Sequence, residues 1–293
     1  MFAATRLSLR RSKNTMQLYS IETGQFKLDG GAMFGVVPKV IWSKLYPTDE
    51  NNLLTLSMRS LLAVSRDRKI LINNGMGNKN KEKNTLYFSL NDQETNLGKS
   101  LAAVGLAYED ITDVFLTHLH FDHCGGSVEP DQNGNLVPAF RNAVYHVSRQ
   151  QWMWAINPNK REKPSYPSEN LLPLNDRLNL FDGDCKLFPD FEVRIFNGHT
   201  MGQAIPFISH KGKTIVYTSD VLPTSAHLPL PYIMSYDIQP LVTLAEKELL
   251  LKEAVENDYV LFFEHDYYTE CCTVQETPKG AKVKVRLKLS EII

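Results

Sequence analysis

Cysteine is scarce in this sequence, and long apolar runs are missing. Its four cysteines, Cys124, Cys185, Cys271 and Cys272, have no CxxC spacing in 293 residues. That excludes a disulfide framework and suits a reducing setting in which thiols pack as small hydrophobes. The longest apolar stretches, such as 259–263, fall far short of the roughly 20 residues that cross a bilayer. No transmembrane helix and no membrane partner are expected. Neither charge dominates: 32 Lys and Arg face 33 Asp and Glu, a formal −1. Nucleic-acid binders usually carry a basic surplus, so no nucleic-acid partner is expected either. Short-period repeats and low-complexity tracts are also absent. What remains is 43% hydrophobic and 10% aromatic, enough for a sizeable core in one large α/β or sandwich domain, or in two smaller ones.

The near-neutral total conceals a polarity. Residues 1–15 hold Arg6, Arg10, Arg11 and Lys13 with no acid, leaving 28 basic against 33 acidic residues in 16–293, a net −5. An Arg- and Ser-rich, acid-free opening reads as an organellar transit peptide, as sequence upstream of a start at Met16, or as a disordered tail. It lacks the apolar segment of about 7–15 residues that a secretory signal needs. The expectation is a basic leader over 1–15 and one domain over 16–293. The setting is then cytoplasmic, or organellar if the leader is a transit peptide.

Along the body, apolar runs at 58–64 and 69–72 flank a polar turn and read as a hairpin. Helical spacing of Leu97, Leu101, Val104 and Ala107 predicts a helix over 95–106, followed by a strand over 111–116. Further strands are expected at 143–147, 191–196, 204–209 and 214–218, and a Pro-, Asn- and charge-rich surface loop at 157–173. Residues 241–255 read as a helix lying on a sheet. The run 259–263 suits a strand covered on both faces. The alternating, Lys- and Arg-bearing 283–289 reads as an edge strand. Strand pairs separated by helices argue for α/β layers.

Directly after the strand at 111–116 comes Thr117-His118-Leu119-His120-Phe121-Asp122-His123-Cys124-Gly125-Gly126. Imidazole and carboxylate suit zinc and similar first-row metals, and a loop at a strand end can aim them at one point. Alternate spacing puts His118 and His120 on one side, with Asp122 and His123 facing a second point. The isolated His146 and His210 read as structural.

The H-x-H-x-D-H pattern resembles the signature of the metallo-β-lactamase superfamily. Later matches stand at Asn197-Gly198-His199-Thr200, Thr218-Ser219-Asp220 and Phe263-Glu264-His265. The resemblance implies an αββα sandwich with two divalent ions, zinc by expectation. His118, His120 and His199 would hold one, Asp122, His123 and His265 the other, and Asp220 would bridge them. Two ions about 3.5–4 Å apart share a water as hydroxide near neutral pH and polarise substrate oxygens. Within the superfamily, the short stretch after His265 disfavours glyoxalase II, the acidic body disfavours tRNA-processing nucleases, and Asp220 disfavours true β-lactamases.

Several stretches are similar to the N-acyl homoserine lactonase branch: 19–26, Gly35-Val36-Val37-Pro38-Lys39, Gly198 to Gln203, and Asp220 through Pro223 to His227. That branch implies lactone ring opening by the bridging hydroxide, with an organophosphate triesterase, like methyl parathion hydrolase, as the alternative and a non-catalytic metal-binding protein as a third reading. A homodimer is a further implication. Two departures stand out. Asn73-Asn74-Gly75 replaces the branch's Asp-Thr-Gly, and Pro223 replaces a tyrosine that helps polarise the lactone carbonyl. His227 is then expected to enter the pocket as a hydrogen-bond donor or acid, joining Asp122 and Asp220 as catalytic residues. Met33, Phe34, Trp42, Tyr46, Trp152 and Trp154 are available as an acyl-chain surface, or simply as core.

Overall fold

A computed structural model describes residues 16–292; the leader expected over 1–15 lies outside the described residues. Its strands run β1 (Gln17–Asp29), β2 (Leu53–Val64), β3 (Lys69–Ile72), β4 (Asp113–Phe115), β5 (Val128–Pro130), β6 (Leu136–Pro138), β7 (Val144–Ser148), β8 (Leu178–Phe181), β9 (Cys185–Phe188), β10 (Phe191–Phe196), β11 (Gln203–His210), β12 (Lys213–Tyr217), β13 (Val260–Phe262), β14 (Cys271–Gln275) and β15 (Lys282–Leu287). The helices are α1 (Gly30–Phe34), α2 (Lys39–Trp42), α3 (Lys81–Phe88), α4 (Leu97–Ala103), α5 (Phe121–Cys124), α6 (Arg149–Ile156) and α7 (Pro240–Glu256). One sheet is ordered β1-β2-β3-β4-β7-β8 and a second β15-β14-β13-β12-β11-β10-β9, while β5 and β6 form a separate ribbon.

Alternation along the central strands explains why the two sheets stack. Successive side chains point to opposite faces. In the first sheet Leu61, Ala63, Ile70, Ile72 and Phe115 face Phe191, Ile208, Ile215, Tyr217 and Phe262 of the second. Their neighbours Leu62, Leu71 and Val114 pack outward with Leu97 and Leu101 of α4 and Trp152 and Ala155 of α6. On the far side, Val216 and Leu261 pack outward against Leu250, Leu251 and Ala254 of α7. Helix, sheet, sheet, helix is the αββα sandwich expected from the sequence. Both faces of β13 are covered, which is why its sequence is continuously apolar. Phe262, fully buried and stacked 5.5 Å from Tyr217, contributes about 2–3 kcal/mol through burial.

The hairpin at β2–β3 falls where its apolar runs put it. The expected helix over 95–106 is shorter, running Leu97–Ala103: Asn96 caps its start by accepting from Lys99 N, and Gly105 at φ +77° lies just past its end. Pro240 opens α7, where its fixed φ and missing N–H suit the first turn. The lysine- and arginine-bearing β15 is indeed a margin strand. Strand β14 was not legible, since Cys271 and Cys272 carry no period-2 signal although both are buried.

Candidate metal centre

Four strand ends bring the site together. Thr117 to His120 follow β4; the chain then turns into the single helical turn α5, which presents Asp122 and His123. His199 follows β10, Asp220 follows β12, and His265 follows β13. The two sheets are joined here: Ala204 N donates to Thr117 O (2.7 Å), and Ser57 N and Arg59 N donate to His265 O and Glu264 O. The His199 turn depends on a glycine, since a Cβ at Gly198 would stand 2.3 Å from Thr243 N in α7. Glu246 of α7 holds the same turn, accepting from Asn197 N at 2.7 Å and Gly198 N at 3.0 Å. Ser219, just before Asp220, sits at φ +44°, a left-handed strain of the kind that clusters at functional sites.

Two groups of donors result. His118, His120, His199 and Asp220 form one, and Asp122, His123 and His265 the other, each with ligand atoms within 4.8 Å of one another. Asp220 reaches across both groups. Its Oδ2 stands 3.1 Å from His199 Nε2 and 3.4 Å from His123 Nε2, and its Oδ1 stands 3.2 Å from His265 Nε2. Every residue expected as a ligand is thus brought into one cluster.

The outer partners of the histidines fix their tautomers and test whether a metal fits. His265 Nδ1 faces the carbonyl of Ser57 at 2.9 Å, so it must donate there. His123 Nδ1 faces Glu264 Oε2 at 2.9 Å, and His199 Nδ1 faces Asp237 Oδ1 at 2.8 Å. The opposite nitrogens of His265 and His123 are then lone pairs that point at each other, 3.2 Å apart, while His199 Nε2 lies 3.1 Å from His120 Nδ1. Lone pairs facing at that distance are relieved by a proton or a metal ion shared between them. Among the described residues, His118 Nε2 has no hydrogen-bond partner although it is buried. The residues fit a pair of divalent ions, with outer carboxylates orienting the rings.

The surroundings divide the histidines of the cluster. Burial lowers the pKa of His118 and His120. Burial would also lower those of His123, His199 and His265, but the carboxylates around them overcome it: Glu264 and Asp122 at His123, and Asp220 at the other two. Burial alone would raise Asp220, yet His123, His199 and His265 hold it well below the usual carboxylate range.

A cavity of about 330 Å³ opens onto these residues. His120, Asp122, His199, Asp220 and His265 line its floor, and Leu28, Met33, Phe88, Phe121, Pro164 and Met234 its walls. Of the aromatics and methionine expected to supply an apolar surface, Met33 alone lines it. Phe34, Trp42 and Tyr46 are core, Trp152 packs under the first sheet, and Trp154 donates to Glu162 Oε2 at 2.8 Å.

His227 does not line the cavity. Its ring stacks on Phe34 at 4.4 Å, its Nε2 donates to Met33 O at 2.9 Å, and its Nδ1 accepts from Thr224 Oγ1 at 2.7 Å. The proton-donating role expected for His227 is corrected accordingly, because both nitrogens are occupied and burial pulls the imidazole down to about 3. Cys124 belongs to neither group, its buried thiol donating to Leu119 O at 3.3 Å. His146, expected to be structural, bonds Asp113 Oδ1 at 2.8 Å in the first sheet.

The polar stretch 157–173 is not a plain surface loop. It is a chain of short 3₁₀ turns that buries Glu162, Tyr166, Asn170 and Leu171. Glu162 accepts from Trp154, Asn159 and Thr200, and its Oε1 lies 3.7 Å from His120 Nε2. Burial would raise its carboxyl, but His120, Thr200 and Trp154 hold it at about 2. Tyr236, also unforeseen, lines the cavity beside Ser235. Burial, with Asp29 and Asp122 nearby, pushes its phenol up to about 12, so it stays a proton donor.

Comparison with known proteins adds relatives to this geometry. Residues 76–265 match the model of the metallo-beta-lactamase superfamily. An N-acyl homoserine lactonase of Bacillus cereus is 25% identical over 281 residues, covering 91% of this chain and 96% of that protein. The structure of a probable metal-dependent hydrolase from Staphylococcus aureus superposes with a TM-score of 0.85 at 31% identity, covering 96% of this chain and 100% of that one. A dizinc quorum-quenching lactonase in complex with a product shares the fold, at a TM-score of 0.78 and 21% identity over 96% of this chain and 97% of its own.

Proposed function

The chain belongs to the metallo-beta-lactamase superfamily and is a metal-dependent hydrolase, and from that premise we propose that it opens the lactone ring of N-acyl homoserine lactones at a dinuclear centre, with zinc as the metal. His118, His120 and His199 would hold one ion and Asp122, His123 and His265 the other, with Asp220 within reach of both groups. When bound, the ions supply water activation near neutral pH and polarisation of a substrate oxygen. The observation that carries the reading is the join between this donor cluster and an apolar-walled cavity, supported by a lactonase relative aligned over 96% of its length.

The chain's own groups divide the remaining work. Leu28, Met33, Phe88, Phe121 and Met234 take up the acyl chain and exclude water. Asp220 approaches imidazoles through both oxygens, and Asp122 Oδ2 stands 3.6 Å from His123 Nε2 and 3.8 Å from His265 Nε2. The Asp122 carboxylate, which lines the cavity, is the group placed to carry a proton from attacking water to the leaving alkoxide. The Tyr236 phenol, still protonated near pH 7, donates to a carbonyl or amide oxygen in the cavity.

The test is turnover by protein carrying a measured metal content. Acyl lactones of several chain lengths would be assayed by proton release, beside a paraoxon-like triester and a phosphodiester. Lactone opening is the expected result. Turnover of the triester alone would make the protein a phosphotriesterase, and no turnover with two ions bound would make it a binding protein.

A further inference from the structure

One buried carboxylate beside the cluster is shared in a way that ties two distant positions together. Glu264 Oε2 accepts twice, from His123 Nδ1 at 2.9 Å and from Asn73 Nδ2 at 2.8 Å. The orientation of the Asn73 amide is fixed by the backbone. Thr117 N donates to Asn73 Oδ1 at 3.0 Å, which turns Nδ2 toward Glu264, the Thr117 hydroxyl at 2.9 Å, and His123 Nδ1 at 3.1 Å. The last contact sets two N–H groups side by side and is not a hydrogen bond. Both residues are buried, at 0% exposure, so any charge they carry is unscreened.

We propose that Asn73 and Glu264 form a single-charge unit that orients His123, so that filling of the Asp122, His123 and His265 site requires one carboxylate in the pair and only one. A metal-bound imidazole keeps its ring angle and basicity through the acceptor on its other nitrogen, and Glu264 is that acceptor. A second carboxylate at position 73 would stand 2.8 Å from the first in a fully buried site, a like-charge contact.

The geometry also makes the two positions interchangeable. An oxygen in place of Asn73 Nδ2 would lie 3.1 Å from His123 Nδ1, within reach of its N–H. An amide at 264 could donate to that oxygen across the same 2.8 Å. Aspartate also tolerates the left-handed φ of +55° at position 73. Swapping the acid and the amide keeps the charge count, the shape and the hydrogen bonds of the unit.

The inference rests on reading the cluster as a metal centre, and its test separates the two. Wild type, Glu264→Gln, Asn73→Asp and the double variant would be stripped of metal and titrated with Zn²⁺ against a chromophoric chelator. Co²⁺ spectra would report ligand geometry, and circular dichroism the fold. Wild type is expected to bind two ions. Each single variant should weaken one of them about 10- to 100-fold while holding the other within about threefold, and the double variant should recover most of the loss. Wild-type affinity in Glu264→Gln, or a double variant no better than the weaker single one, overturns the proposal. Failure of wild type to bind any ion overturns the metal centre itself.

Discussion

Acid should release the strut that His227 makes. Its imidazole is neutral in the fold, donating to the Met33 carbonyl and accepting from Thr224, with Phe34 stacked on its face. Burial, the largest influence, holds it at about 3 against an ordinary 6.5. Because the folded value lies below the unfolded one, the unfolded chain binds the extra proton between them. Stability from this group is therefore complete above pH 6.5 and is lost as pH falls toward 3. The span corresponds to about 5 kcal/mol in all, of which about 2 kcal/mol disappears between pH 7.5 and 5.0. His227→Gln removes the titration. Urea unfolding of both proteins at pH 7.5, 6.5 and 5.0 would read it as a difference, in which the other histidines cancel. Wild type should lead the variant at pH 7.5, and that lead should shrink by about 2 kcal/mol at pH 5.0. A lead that stays constant with pH would refute the buried, neutral strut. A variant of unchanged stability and metal content but with kcat down tenfold or more would return His227 to the chemistry.

Other consequences can be checked in the same preparations. Gly198→Ala places a Cβ 2.3 Å from Thr243 N. It should cost about 1–3 kcal/mol by overpacking and weaken the ion at His199, read as unfolding midpoint and metal content; no change in either would show that the turn can yield. Tyr236→Phe should lower kcat about tenfold or more with metal content and midpoint intact, and an unaltered kcat would remove the phenol from the mechanism. Stripping metal with a chelator should lower stability, by about 4 kcal/mol per ion when free metal stands a thousandfold above Kd. Zn²⁺ should restore it, and a midpoint indifferent to metal would contradict the reading of the facing imidazoles.

The layers were legible because their signals are local. Strand β13 reads as doubly buried from five consecutive apolar residues, and its neighbour β12 from alternation that sends Ile215 and Tyr217 one way and Val216 the other. The cluster residues were legible for a related reason. Four of them lie within six positions, and the others follow the apolar strands that deliver them. What failed was anything whose meaning depends on a distant partner. The stretch 157–173 has the composition of a solvated loop, yet Glu162 is buried because Trp154, Asn159 and Thr200 satisfy it. Between cavity and core the sequence left six side chains open, and Phe34, Trp42, Tyr46 and Trp152 are core, since composition gives size and hydrophobicity but not which face of a packed layer a ring will find.

The two departures from the family pattern then have one explanation. At position 73 an acid is missing, and a carboxylate 191 positions away reaches the same imidazole. At position 223 a phenol is missing, and Tyr236 enters the cavity from farther along the same connection. His227 was the nearest able side chain in sequence, but proximity along the chain is a poor guide here. Its ring is spent on Met33 and Thr224, whereas Lys247 of α7 donates to the carbonyls of His227, Pro229 and Tyr232 at 2.8–3.0 Å and so fixes the path that brings Tyr236 to the cavity wall. On the proposed reading, each missing group is supplied from another position because the scaffold fixes where its atoms arrive. That is why a substitution at an expected position is weak evidence against activity until the space around the cluster has been searched for the same functional group.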